Sequence, residues 1–191
     1  QLTKTPDALM LRFPDVSKDK ITFVYAEDVW VVDKTGGIAR RITSTPGIEV
    51  YPKFSPDGQQ IAFSGNYDGN RDVYTLSVNG DNLKRLTYHP SGDNVVDWQA
   101  DGNGLLISSR RNSPSNRFNR FFTLSKNGGI VAPVPLFYAE MGSYNTDGTK
   151  LAYQYLNRLF RTWKRYQGGT ASDIWIYDFA DSTSVKITDY P

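Results

Sequence analysis

The chain has 191 residues, is 39% hydrophobic and 14% aromatic, and carries a formal net charge of +2. It is a folded globular chain long enough to bury a core, and a disordered tail is excluded. The charge is too small to imply nucleic acid as a partner. The absence of cysteine removes disulfides, thiolate metal sites and cysteine nucleophiles, and no apolar run reaches the roughly 18 residues of a membrane span.

Four segments then repeat in chain order: 13–43, 51–87, 95–136 and 142–188. Each opens on a short strand and a turn, "SKDK", "SPDG", "QADG" or "NTDG", whose anchors Asp19, Asp57, Asp101 and Asp147 stand 38, 44 and 46 residues apart. Asp closes such turns through local side-chain bonds and Gly supplies positive φ. An apolar second strand follows: Ile21–Phe23, Ile61–Phe63, Leu105–Ile107, Leu151–Tyr153. After a connection of variable length come third strands "DVWVVD", "DVYTLSV", "RFFTLSK" and "DIWIYDF", a tight turn, and fourth strands "RRIT", "KRLT", "PVPL" and "VKIT".

That period predicts an all-β β-propeller of four-stranded antiparallel blades, with boundaries near 9–43, 50–87, 94–136 and 140–190 in one partial propeller domain, 1–191. Four blades left open would expose a sheet face and edge, so the expectation is part of a six-bladed propeller. The start at Gln1 points to a processed or trimmed chain, and the N-terminal residues lack the basic and apolar regions of a signal peptide.

Catalysis is not expected from these residues. The single histidine, His89, lies in the turn-like "LTYHPSGD", and no serine has a nucleophile-elbow context. The turn aspartates offer too few oxygens per turn for calcium, and no metal or cofactor is expected. Glu49, Asp93, Asp97 and Glu140 precede or begin first strands; a metal would require them to converge, and solvated loop charge is the simpler expectation.

The long connections of the third and fourth repeats are basic. "RRNSPSNRFNR" holds Arg110, Arg111, Arg117 and Arg120; "RLFRTWKRYQGG" holds Arg158, Arg161, Lys164 and Arg165 around Trp163 and Tyr166. Neither contains an acid. Outside these eight cations the chain has 14 Lys and Arg against 20 Asp and Glu. Equivalent connections in a propeller emerge on one face, so the eight form one field, suited to peptide carboxylates or an acidic partner surface. A solvated hairpin tip, with its aromatics pinned on its own blade, and docking onto another domain or subunit are the competing readings.

Repeat 2, "YPKFSPDGQQIAFSGNYDGNRDVYTLSVNGDNLKRLT", resembles the propeller repeat shared by TolB and tricorn proteases. "LMLRFPDVSKDKITFVYAEDVWVVDKTGG" resembles the opening of tricorn proteases, and "TWKRYQGGTASDIWIYD" their fourth blade, through Trp163, Lys164, Tyr166, Gly168, Gly169 and Thr170. The resemblance covers the whole chain as the front of the tricorn N-terminal six-bladed propeller. It implies a multi-domain serine peptidase that trims oligopeptides, with this segment walling a channel and gating or binding peptides. The family's peptidase core is not in this sequence, so no catalytic residue carries over. The alternative is a TolB-like envelope scaffold that binds proteins. Archaeal tricorn relatives are cytosolic; the Gln1 start favours an exported, periplasmic protein.

Overall fold

A computed structural model describes residues 10–115, 117–156 and 172–188. They form four antiparallel sheets of four strands, each in sequence order. The first contains β1 (Arg12–Val16), β2 (Lys20–Tyr25), β3 (Asp28–Asp33) and β4 (Arg40–Arg41). The second contains β5 (Ile48–Phe54), β6 (Gln60–Asn66), β7 (Asp72–Ser77) and β8 (Lys84–Arg85). The third contains β9 (Asp93–Trp98), β10 (Gly104–Ser109), β11 (Arg120–Ser125) and β12 (Ala132–Pro133). The fourth contains β13 (Met141–Tyr144), β14 (Lys150–Gln154), β15 (Trp175–Asp178) and β16 (Thr183–Lys186).

The predicted turns form for the predicted reason. Asp57 accepts the Gln59 amide at 3.0 Å, Asp101 the Asn103 amide at 2.9 Å and Asp147 the Thr149 amide at 2.9 Å. Gly58, Gly102 and Gly148 follow with φ of +69°, +66° and +74°, where a Cβ would be strained. The first turn differs: there the Ser17 hydroxyl oxygen accepts the Lys20 amide.

Strand period 2 aims alternate residues at opposite neighbours. In β6, Ile61 and Phe63 pack with Val29 and Val31 of the first sheet, while Ala62 faces Val95, Leu105 and Ile107 of the third. In β10, Leu106 turns the other way, toward Leu151 and Tyr153 of the fourth sheet. Among the described residues the core is therefore three clusters, each between consecutive sheets. Both faces of β6 and β10 are covered, so these strands read as continuous apolar runs. In β2 and β14 the buried residues alternate, because only one face has a neighbour among the described residues.

The first strands lie side by side: β1 against β5, β5 against β9, β9 against β13. Polar bonds tie them together. Asp15 accepts the Phe54 amide at 2.8 Å, Asp97 accepts the Tyr144 amide at 3.1 Å, and the Trp98 indole donates to the Lys53 carbonyl at 3.0 Å.

Candidate functional site

The third strand of every sheet starts at the end of the blade from which the long connections rise. Three of the four starts share one device. Asp28, Asp72 and Asp173 pair with Arg41, Arg85 and Lys186 of the fourth strand, at 3.2, 2.6 and 3.0 Å. Two residues beyond each cation, Thr43, Thr87 and Thr188 accept the amides of Val29, Val73 and Ile174 at 2.8, 2.9 and 3.1 Å. The Thr87 and Thr188 hydroxyls donate onward to Asp72 and Asp173 at 3.2 and 2.9 Å; Thr43 donates to Glu49. The motif satisfies backbone and side-chain groups at the strand end, where the ladder stops.

Its electrostatics follow from depth. Burial raises the Asp72 pKa, against the pull of Arg85 and Thr87. The more exposed Asp173 is held low, chiefly by its bond to Lys186. Burial also raises Glu49, although Thr43, Tyr67 and the Val29 amide all bond it.

Two carboxylates expected to be solvated are not. Glu49 and Asp93 are both 0% exposed. Glu49 takes the Tyr67 hydroxyl at 2.6 Å and the Val29 amide at 3.1 Å; Asp93 is paired with Arg111. The expectation fails because each sits where one blade's first strand meets the preceding blade: the Glu49 amide donates to the Glu27 carbonyl and the Asp93 amide to the Arg71 carbonyl. Asp97 is half-buried and spent on the first strand of the fourth sheet. Glu140 lines a recess with Tyr51 and Lys53. His89 is half-buried, its Nδ1 accepting the Ser91 amide at 3.0 Å.

The four arginines of the third-sheet connection have separate positions. Arg110 is exposed. Arg111 turns inward to Asp93, with its guanidinium 5.7 Å from the Phe122 ring centre. Arg117 is exposed over Phe118 at 5.6 Å, and Phe118 packs on Tyr138 with centroids 4.5 Å apart. Arg120 begins β11 and donates to the Asn112 carbonyl at 3.2 Å, while its Nε is buried with no hydrogen-bond partner. Arg158, Arg161, Trp163, Lys164, Arg165 and Tyr166 lie outside the described residues.

Sequence reasoning grouped the arginines by proximity in the chain and missed the strand-end motif. Its signal is present: Asp28, Asp72 and Asp173 recur with a cation and, two residues further, a threonine. The third repeat breaks it at every position. Strand register puts Arg120 where the aspartates stand, Pro133 where the cations stand and Pro135 where the threonines stand.

Four-stranded sheets stacked face to face, with their first strands adjacent and a basic connection at one end, define the chain as a β-propeller segment. It belongs to the tricorn protease family's N-terminal propeller: residues 8–191 match the family described as "Tricorn protease N-terminal beta propeller domain". Tricorn protease homolog 1 of Streptomyces coelicolor is 33% identical over 94% of the chain and 17% of its own length. A putative tricorn-like protease N-terminal subunit of Sulfurisphaera tokodaii is 28% identical, with 86% of this chain and 85% of that protein covered. The crystal structure of the tricorn protease superposes with a TM-score of 0.79 at 28% identity, over 94% of this chain and 18% of that one. The chain thus spans about a sixth of the length of the protease homologue it matches.

Proposed function

We propose that this chain is the non-catalytic propeller segment of a tricorn-like serine peptidase, which walls a channel and uses its basic face to bind peptides or to dock other domains or subunits. The observation that carries the reading is the third-sheet connection, where Arg110 and Arg117 are exposed and Arg117 lies over Phe118, which packs on Tyr138. Phe118, fixed on Tyr138, supports the Arg117 guanidinium, whose planar fork can take a carboxylate in two bonds. The relative named as an N-terminal subunit supports docking, because there a segment of this extent bears a subunit's name.

The test is deletion of residues 157–171, the acid-free basic connection of the fourth repeat, from the full protein. Peptide ladders are digested and the product lengths read by mass spectrometry. A changed length distribution is the expected result; an unchanged one overturns the gating role.

A further inference from the structure

The strand-end motif singles out Arg120 as the residue at which the pattern breaks. In the first, second and fourth sheets the chain supplies its own carboxylate, cation and hydroxyl. In the third, the described residues at these positions supply only a cation. Arg120 replaces the aspartate, two prolines replace the other members, and Ala139 stands where Glu49 and Asp93 stand at the two preceding junctions, its amide donating to the Asn119 carbonyl as theirs donate to Glu27 and Arg71. Leaving a buried donor unpaired is costly, and no described residue bonds the Arg120 Nε.

Arg120 also lines a recess of about 330 Å³ with Pro114, Pro135, Leu136 and Phe137. Leu136 is 6% exposed and forms its floor, whereas Phe137 is 84% exposed. A cation with an unused donor, walled by apolar side chains, fits a carboxylate flanked by apolar residues. The connection of the fourth repeat, 157–171, contains no Asp or Glu in its sequence.

We infer that Arg120 and this recess form a docking site for an acidic side chain, Asp or Glu between apolar residues, on an extended segment of a partner domain or subunit. The reading rests on the proposed role of the basic face and names the group that face takes. A side chain is the fitting source because the strand-end pair in the other three sheets is made between two side chains. On docking, the guanidinium gives up its single bond to the Asn112 carbonyl and turns its Nε and Nη donors to the carboxylate, forming a two-bond pair. Phe137 closes over the apolar flank.

The test uses the full protein and amidated, acetylated peptides Gly-Leu-Glu-Leu-Gly and Gly-Leu-Gln-Leu-Gly, titrated against backbone amide NMR shifts around Phe118 and Phe121. The Glu peptide is expected to bind about tenfold tighter than the Gln peptide, the ratio of one charge-assisted bond. Arg120→Gln should erase the preference. A triple variant, Arg120→Asp with Pro133→Arg and Pro135→Thr, rebuilds the motif internally and should also erase it while keeping the fold. Equal binding of the two peptides, or a preference that survives Arg120→Gln, overturns the site. So does a preference shown only by Gly-Leu-Gln-Leu-Gly with a free C-terminus. If Glu preference survives Arg120→Gln but disappears in Arg110→Gln with Arg117→Gln, the basic face binds peptide without this site, and the function proposed above stands.

Discussion

Glu49 shows what depth does to a single carboxyl. It is enclosed at the junction of the first two sheets, and burial raises its pKa from the ordinary 4.5 in spite of three hydrogen bonds. The folded state therefore binds more protons than the unfolded chain between pH 4.5 and the raised value. Its contribution to stability is complete below 4.5 and is lost as pH rises through the folded value. The turn aspartates Asp57, Asp101 and Asp147 have the opposite sign. They are held below 3.8, so their contribution is present above that pH and is lost in acid. Glu49→Gln, uncharged at every pH, isolates the first effect. The stability difference between variant and wild type should shift in the variant's favour as pH rises from 4.5, measured by urea unfolding between pH 4 and 8. A difference that does not change with pH contradicts the assignment.

At the scale of the element, the strand-end motif makes short fourth strands sufficient. β8 is two residues long, yet Leu86 and Thr87 continue its attachment, Leu86 through its amide to the Val73 carbonyl and Thr87 through its hydroxyl to the Val73 amide. Thr87→Val keeps the shape and removes the acceptor, leaving the Val73 amide and Asp72 less satisfied. The expected loss is about 1–3 kcal/mol, seen as a lower urea midpoint at unchanged slope; no loss would mean the ladder alone holds the strand. This motif also marks how far the sequence could be read. Turn aspartates, apolar second strands and the four-part period were legible, because they depend on neighbours in the chain. The burial of Glu49 and Asp93 was not, since a carboxylate's depth is decided by the preceding blade. Between the two lies the pairing of Asp72 with Arg85 and Thr87, 13 and 15 residues apart. It is visible once the repeats are superposed by strand register, and with it the departure at Arg120, Pro133 and Pro135.

For the molecule as a whole, stability is distributed among interfaces between consecutive sheets, each with its own apolar cluster and polar ties. Such an array resembles a chain of nearest-neighbour terms, in which a blade can open without the ones beyond it. Asp97 tests this. Its Oδ2 accepts both the Ser143 hydroxyl at 2.9 Å and the Tyr144 amide at 3.1 Å, joining the third sheet to the fourth. Asp97→Ala leaves a part-buried amide without its acceptor, at about 1–3 kcal/mol. If the interfaces act separately, hydrogen exchange should accelerate about tenfold or more for the amides of β13 and β14, with β2, β3, β6 and β7 unchanged. Uniform acceleration across all four sheets would show instead that they open as one unit. In that case docking of an acidic segment at Arg120 would stabilise the whole array, because a ligand that binds only the folded state shifts every opening linked to it. Under separate interfaces the protection would stay with the third sheet and its two neighbours.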